Sequence, residues 1–192
     1  MIEFDGVRNV CLLSHLERNP TMLRSALFVS LLTASFAFAG YTQDGSGSAT
    51  FDAKGTLGLK IHGTASKLTV TDDGKNLSVT VKIADVDTDN SLRNKHLGED
   101  MEAAAYPDIT LTVPLDAIKL EGGSGTAKGT FAIHGKTREV SFKYASTAKD
   151  GVTSVEGSAD LNLSDYGVKI RSYLGVTVKP DISVAAKFNL KK

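Results

Sequence analysis

The sequence predicts an all-β protein in which one antiparallel sheet of about eight strands closes into a barrel and is interrupted by a short helical insert. Two observations lead to this fold class. Apolar and polar residues alternate through most of the chain after residue 48, and turn-forming residues separate the alternating segments without the regular strand–helix–strand succession of a parallel sheet. A β-sandwich would produce a similar pattern and stays the alternative.

The first 39 residues stand apart from this pattern. Beginning at Met22, the chain has a basic residue, Arg24, then an apolar run over 26–36, then the small-x-small sequence Ala-Phe-Ala at 37–39. The run is shorter than the roughly 20 residues that span a bilayer, which favours a cleaved signal over a membrane anchor. We predict a signal peptide over residues 1–39, with Met22 as a candidate true start.

The charge and cysteine content narrow the function classes. The chain has 22 basic and 22 acidic residues, and three of each lie in 1–39, so 19 of each remain. Without a basic excess, a nucleic-acid partner is not expected. The single cysteine, Cys11, lies before the cleavage point, so the exported protein would have no disulfide and no thiol nucleophile. We expect a bacterial periplasmic or secreted location.

The elements follow in chain order. Residues 40–47, rich in glycine and polar residues, are predicted to be a flexible lead, and the barrel is predicted to occupy residues 48–192. Tight turns are expected at "DDGK" (72–75), "HGKT" (134–137) and "KDG" (149–151). The expected strand segments are 49–54, 57–63, 68–70, 77–83, 109–115, 131–133, 140–144, 155–163 and, with a break, 176–190.

The helical insert lies between the fourth and fifth of these segments. One of residues 89–91 can cap a helix over 92–97, and Gly98 is placed to end it. A second helical stretch is expected over 99–105, before Pro107 returns the chain to an extended conformation. A helix at this point would lie beside one end of the barrel and control access to its interior.

Four motifs carry a family resemblance: "VDTDNSLRNKHL" at 86–97, "YPDITLTV" at 106–113, "GTFAIHGKTREVSF" at 129–142 and "LNLSDYGV" at 161–168. In this order and spacing they resemble the YceI-like family of exported, lipocalin-like, polyisoprenoid-binding proteins. The resemblance implies an extended eight-stranded antiparallel barrel with a helix beside it and an elongated apolar cavity. It implies an isoprenoid or other long-chain amphiphilic lipid as the partner. The residues themselves give no reason to expect a cofactor or catalysis.

The resemblance and the alternation together predict the ligand-binding residues. Arg93 and His96 are three apart and Leu97 follows, so all three share one helix face, where Arg93 would pair with a polar head group. The alternative is a structural clasp that pins the helix onto the barrel, with Arg93 paired to an acid such as Asp87 or Asp165 and His96 hydrogen-bonded to the backbone. The full set of candidate ligand-binding residues is Arg93, His96, Leu97, Met101, Tyr106, Leu111, Phe131, Ile133, Phe142 and Tyr166.

The chain departs from the usual family pattern at three places: it has Asn94 where an aspartate is usual, Met101-Glu102 where two phenylalanines are usual, and Leu163 where an arginine is usual. These departures leave the head group and chain length of the lipid open.

Three hypotheses for function follow. The first is an exported carrier that shields an isoprenoid-type lipid in the barrel. The second is a redox partner or enzyme linked to an isoprenoid quinone, and the third is a stress-related protein whose filled barrel acts through its surface.

Side-chain catalysis is not favoured, because Ser164 lacks the first glycine of a nucleophile elbow. His62 and His134 lack the neighbouring ligands of a metal site, so no metal is expected. The oligomeric state stays open, with a homodimer among the alternatives.

Overall fold

A computed structural model of the chain describes residues 40–173 and 175–192. The predicted signal peptide lies outside the described residues. The described chain forms one antiparallel sheet of twelve strands with a single ten-residue α-helix, so the all-β, antiparallel fold class is confirmed. Within the described ranges, no helix combines the length and hydrophobicity needed to cross a membrane.

The strands and the helix have the following bounds. They are β1 (Thr42–Gln43), β2 (Ser48–Gly55), β3 (Lys60–Ala65), β4 (Thr69–Asp72), β5 (Asn76–Lys82), β6 (Val86–Asp87), α1 (Ser91–Asp100), β7 (Asp108–Pro114), β8 (Gly123–Ile133), β9 (Lys136–Lys149), β10 (Val152–Asn162), β11 (Ser172–Tyr173) and β12 (Val176–Lys191).

The sheet curls until its two ends lie side by side. Two bent strands join these ends: one consists of β3 and β4, and the other consists of β5 and β6. The hydrogen-bonded order is β4-β5-β7-β8-β9-β10-β12-β2-β3-β6. Only three residues separate β3 from β4, and a single 3-10 turn, Ile83–Asp85, separates β5 from β6. Because β3 pairs with β6 and β4 pairs with β5, the two bent strands are neighbours and complete a ring of eight. The predicted count of eight differs from twelve because two strands are interrupted and the short β1 and β11 attach to β12.

The barrel has two ends with different structure. We call the end that carries the β2–β3 turn, α1, the β8–β9 turn and residues 163–173 the mouth end, and the opposite end the base end. Along β12 the inward side chains at 182, 184 and 186 are half-buried, whereas Phe188 and Leu190 are buried. Phe188 and Leu190 belong to a core cluster with Leu68, Val70, Leu77, Val79, Leu120 and Val155. The interior is therefore filled at the base end and open above it.

Residues 40–47, expected to be a flexible lead, are tied to the base end. β1 pairs with the end of β12, and the Gln43 side chain hydrogen-bonds across to β4. Its Nε2 donates to the Leu68 carbonyl oxygen at 3.0 Å, and its Oε1 accepts from the Val70 amide at 2.8 Å. A side-chain amide has the same donor and acceptor as a peptide group, so Gln43 acts as one extra rung of the sheet.

The connection between β2 and β3 also differs from the prediction. A strand was expected from residue 57, but Thr56–Gly58 form a 3-10 turn and β3 begins at Lys60. Leu57 has a φ of +56° at the tip of this turn, where a strand conformation is impossible.

Helix α1 is longer than predicted and ends in a different way. Asn90 caps it, since its side chain accepts a hydrogen bond from the Arg93 amide at 2.9 Å. Gly98, predicted to end the helix, lies inside it. Glu102 takes the left-handed position instead, with a φ of +49°, while the amides of Glu102 and Ala103 donate to the carbonyls of Glu99 and Gly98. This is a Schellman ending, and residues 101–105 form turns rather than the predicted second helix.

Candidate functional site

A cavity of about 850 Å³ occupies the open part of the barrel. Every strand of the eight-membered ring contributes to its wall, and the side chains are predominantly aliphatic or aromatic. The base cluster closes one end of the cavity, and α1 together with residues 169–172 borders it at the mouth end. An apolar cavity of this size is suited to an apolar ligand that extends along the barrel.

Eight of the ten predicted ligand-binding residues line this cavity. Four of them, Arg93, His96, Leu97 and Met101, lie at the mouth end. The other four, Leu111, Phe131, Ile133 and Phe142, form part of the wall. The alternation of the strands places these wall residues inward, as the sequence pattern predicts.

The remaining two, Tyr106 and Tyr166, do not line the cavity. Tyr106 is 38% exposed and packs edge-on against the His134 ring, with the ring centroids 5.1 Å apart, on the β8–β9 turn. Tyr166 is only 1% exposed and is buried in the core next to the cavity wall. Pro107 restricts Tyr106 to an extended conformation, and β7 begins at Asp108, two residues after Tyr106, so Tyr106 precedes the strand and is not part of the barrel wall.

The Tyr166 hydroxyl is buried without a hydrogen-bond partner among the described residues. Burial and, to a smaller extent, the Asp165 charge raise the pKa of Tyr166, while Arg138 opposes the shift. His134 lies beside it: His134 Nδ1 is 3.2 Å from the Tyr166 carbonyl oxygen, and His134 Nε2 is 3.4 Å from a Glu102 carboxylate oxygen. The three motifs that contain Tyr106, His134 and Tyr166 therefore meet in one structural junction at the mouth end.

Helix α1 is clasped at its N-terminal end by Asn94. The Asn94 Oδ1 accepts from the Thr88 amide at 2.9 Å and from the Thr88 hydroxyl at 2.6 Å, and Nδ2 donates to Asp87 Oδ1 at 2.8 Å. The Asn94 hydrogen bond holds the pKa of Asp87 below its usual range. The predicted clasp named the wrong residue of the helix. Arg93 pairs with neither Asp87 nor Asp165, and the neighbouring Asn94 contacts Asp87 instead.

The C-terminal end of α1 is held by Arg171. Its Nε and Nη2 donate to the two carboxylate oxygens of Asp100, both at 2.8 Å, and Nη2 also donates to Glu99 at 3.1 Å. The bidentate geometry fixes the segment after β10 against the helix. Sequence reasoning missed Arg171, since its partners lie 71 and 72 residues away and no local pattern links them.

The mouth end also carries cationic groups without such partners. Arg93 donates to the Thr88 carbonyl oxygen at 3.1 Å, and no carboxylate of the described chain lies within salt-bridge distance of Arg93 or Lys169. Both residues line the cavity, as does His96. Asp100, the acidic residue in the same lining, is neutralised by Arg171. The polar border of the cavity is thus suited to an anionic group.

Several wall residues were also missed. Phe51 on β2, Ile61 on β3 and Val178 on β12 line the cavity. Phe51 lies opposite Gly63 on β3, and any side chain at residue 63 would collide with the Phe51 ring. The sequence contains one sign of this arrangement: an aromatic residue and a glycine occur at positions that would pair across the two weakly predicted strands, 49–54 and 57–63. In the described ranges, no three potential metal-ligating side chains converge, and His62 contacts Asp52 at 2.8 Å.

The sequence matches the YceI-like domain over residues 29–190. The chain belongs to the YceI-like family. UPF0312 proteins of Pseudomonas paraeruginosa and Pseudomonas aeruginosa are 28% identical over 139 residues, which cover 68% of this chain and 63% of each relative. The alignment therefore spans less than two thirds of those relatives.

Solved structures show the same fold at lower identity. A polyisoprenoid-binding domain from Saccharophagus degradans, implicated in plant cell wall breakdown, has a TM-score of 0.64 and 14% identity, covering 79% of this chain and 97% of that one. Burkholderia cenocepacia BcnA has a TM-score of 0.63 and 16% identity, covering 74% and 95%. The likeness to both structures is one of fold, and it agrees with the YceI-like barrel described above.

Proposed function

We propose that this YceI-like protein binds a long apolar lipid of the isoprenoid type, with the chain inside the barrel and the polar head at the mouth end. The observation that carries the proposal is the apolar cavity of about 850 Å³, closed by the base cluster and bordered by Arg93 and Lys169. The polyisoprenoid-binding domain with the same fold supports it. The cavity also argues against the filled-barrel hypothesis, since only the base end is filled.

Burial of the chain supplies enough free energy for binding. At roughly 0.3 kcal/mol per non-hydrogen atom, a five-carbon isoprene unit contributes about 1.5 kcal/mol. Five or six units would therefore reach about micromolar affinity without a strong contact to the head group. Such a protein acts by removing the lipid chain from water, so the proposed role is sequestration or transport without catalysis.

Export belongs to the same proposal. The basic residue, short apolar run and small-x-small sequence before residue 40 support cleavage of a signal peptide and a periplasmic or secreted location. N-terminal sequencing of the protein recovered from the periplasm and from the medium tests this directly. A first residue close to Gly40 is expected, whereas a protein recovered only from the cytoplasm with residues 22–39 intact would refute export.

The test of ligand binding is native mass spectrometry of the protein purified without detergent, followed by solvent extraction of whatever is released. We expect a single lipid per chain whose fragments differ by isoprene units. If the head is a quinone, the extract will show a redox-dependent absorbance and favour the quinone-linked hypothesis. A protein that purifies empty and takes up no isoprenoid lipid when offered one would refute the proposed function.

A further inference from the structure

The exposed apolar side chains of the barrel are concentrated at one end. Three large apolar or aromatic residues are exposed in the described chain: Leu57 (86%), Leu92 (61%) and Tyr106 (38%). All three belong to the mouth end, on the β2–β3 turn, on α1 and beside the β8–β9 turn, and Leu92 also lines the cavity. The turns of the base end, within the described ranges, contain no exposed residue of this kind. Single exposed apolar residues are common on protein surfaces, so the backbone conformation and the neighbours of each one decide whether it indicates a contact.

Leu57 is the strongest of these features. It lies at the tip of the turn with a φ of +56° and is followed by Gly58 with a φ of +78°. Glycine or asparagine is the usual residue at such a position, because a leucine side chain disfavours left-handed backbone. With 86% of its surface exposed, Leu57 gains nothing from packing. Neither backbone geometry nor the folded core accounts for a leucine here.

The charges beside Leu57 favour an anionic partner. Lys54 and Lys60 are directly opposite each other on β2 and β3, immediately below the turn, and both are exposed. Like charges in this cross-strand position repel. No carboxylate of the described chain forms a salt bridge with either lysine. An anionic surface that meets the turn would relieve this repulsion.

The turn is attached to the rim of the cavity. The Thr56 hydroxyl accepts a hydrogen bond from the Thr177 amide at 2.9 Å, and Leu59, two residues after the tip, lines the cavity. A surface that contacts Leu57 therefore faces the cavity opening. Arg93 and Lys169 border the same opening and add positive charge.

From these observations we propose that the mouth end docks on a lipid bilayer containing anionic head groups, with Leu57 entering the interface and Lys54 and Lys60 contacting the head groups. The proposal rests on the proposed function, because a long apolar lipid has to be collected from a membrane or delivered to one. An exposed leucine between two lysines is the arrangement by which peripheral proteins reach the interface: the apolar side chain enters and the cations remain at the phosphates.

Vesicle sedimentation tests the docking. The protein is used as purified from cells, with its N-terminus established by mass spectrometry, so that all variants share the same ends. We expect binding to vesicles of phosphatidylcholine with phosphatidylglycerol, weaker binding to phosphatidylcholine alone, and loss of binding as salt rises. Equal binding to both vesicle types at low salt would overturn the role of the lysines.

Two variants and one control sharpen the test. Leu57→Asn suits the left-handed backbone, so the Tm should be unchanged while vesicle binding weakens roughly tenfold. The double variant Lys54→Gln/Lys60→Gln should weaken binding to the anionic vesicles by about tenfold or more and leave phosphatidylcholine binding unchanged. Lys75→Gln/Lys149→Gln makes the same charge change at the base end and should have no effect. Full binding by Leu57→Asn, or equal loss in the base-end control, would overturn the proposal.

Two further measurements separate this proposal from its alternatives. Uptake of a fluorescent isoprenoid alcohol from solution should be the same in Leu57→Asn as in the wild type; no uptake by either protein would refute the proposed function, while the vesicle result still decides docking. Sedimentation equilibrium without vesicles tests a second copy as the occupant. Self-association that Leu57→Asn abolishes would overturn the bilayer proposal in favour of an interface between copies.

Discussion

Arg93 and Asn94 are adjacent in the chain, yet they serve different purposes in the structure. Asn94 is committed to Thr88 and Asp87 with all of its polar atoms within hydrogen-bond distance of a partner. Arg93 has one contact to a backbone carbonyl and lines the cavity. Asn94 therefore attaches the helix to the barrel, whereas Arg93 is available to contact a ligand.

Arg93→Ala tests the ligand side of this division. We expect the affinity for a phosphorylated isoprenoid to fall about tenfold, since a charge-assisted hydrogen bond contributes roughly 1.5 kcal/mol or more. Because Arg93 forms no salt bridge in the described chain, the Tm should change little. Titration of the phosphorylated lipid and of its uncharged alcohol measures the effect, and equal loss for both lipids would contradict a head-group contact.

The buried hydroxyl of Tyr166, which has no hydrogen-bond partner among the described residues, leads to a second prediction. Removing a buried hydroxyl that lacks a partner leaves no unsatisfied group behind, so Tyr166→Phe should keep the free energy of unfolding or raise it by about 1 kcal/mol. Tyr144→Phe is the matched control, because the Tyr144 hydroxyl accepts from the Lys119 amide at 3.1 Å and its loss should destabilise. Chemical denaturation at pH 7 compares the two variants. A large destabilisation by Tyr166→Phe would show that its hydroxyl has a partner.

The same residue predicts a dependence on pH. Burial raises the pKa of Tyr166 in the folded state, so above about pH 10 the unfolded chain loses this proton before the folded chain does. This contribution to stability is therefore complete below pH 10 and is lost as the pH rises further. The Tm of the wild type should fall relative to that of Tyr166→Phe between pH 9 and pH 11, and parallel curves would contradict the shift.

At the scale of elements, α1 is unusual because it is held mainly by its ends. None of its ten residues is buried, and polar anchors lie at both ends: Asn90 and Asn94 at the first, and Asp100, paired with Arg171, at the second. The side chains of Leu92 and Leu97 face the cavity. A helix whose apolar contacts lie on the cavity side gains packing when the cavity is occupied, so ligand should protect it.

Asn94→Asp tests the first anchor. The new carboxylate keeps an oxygen for Thr88 but cannot donate to Asp87, and the two negative charges repel. Asp87 in the wild type has a lowered pKa, so its contribution to stability is present above pH 4 and is lost as the pH falls. We expect the variant to melt a few degrees lower at pH 7, with a smaller difference near pH 4.

Asn90→Asp is the control for this change. It adds the same charge one turn earlier, where aspartate also caps a helix and favours the positive end of the helix dipole. Its Tm should match or exceed that of the wild type. If both variants lowered the Tm equally, the effect would come from net charge near the helix and not from the Asp87 contact.

At the scale of the whole molecule, stability and binding belong to different halves of the barrel. The base cluster is packed, with Leu190 fully buried, whereas Val184 on the same strand is half-buried because it faces the cavity. A cavity leaves apolar surface without packing partners, which weakens the core around it. The mouth half therefore has an unfilled cavity and weaker core packing, and the packed base half contributes most of the stability of the fold.

A pair of substitutions on β12 separates the two halves. Val184→Phe adds a ring inside the cavity and should abolish uptake of a fluorescent isoprenoid alcohol while keeping or raising the Tm. Leu190→Ala leaves a void in the packed base and should lower the free energy of unfolding by about 2–5 kcal/mol while the folded fraction still takes up the ligand. Retained uptake by Val184→Phe would contradict the assignment of the cavity as the binding site.

The sequence by itself determined the fold class, part of the cavity wall and the start of the helix. Alternation over a few residues fixes which side chains share one face of a strand, so Leu111, Phe131, Ile133 and Phe142 could be placed in the wall in advance. Helix capping is equally local, and Asn90 lies among the residues expected to cap α1.

Only the tertiary structure decided how the barrel closes, how the helix is attached and where the cavity lies. The bent strands, the Gln43 link and the Arg171–Asp100 pair join residues far apart in the chain, and no short pattern records such a contact. Val184 and Leu190 have the same alternation, yet Val184 lines the cavity and Leu190 belongs to the packed core of the base end. The physical reason is that filling depends on the summed volumes of side chains from eight strands at each level of the barrel, a quantity that no single segment contains.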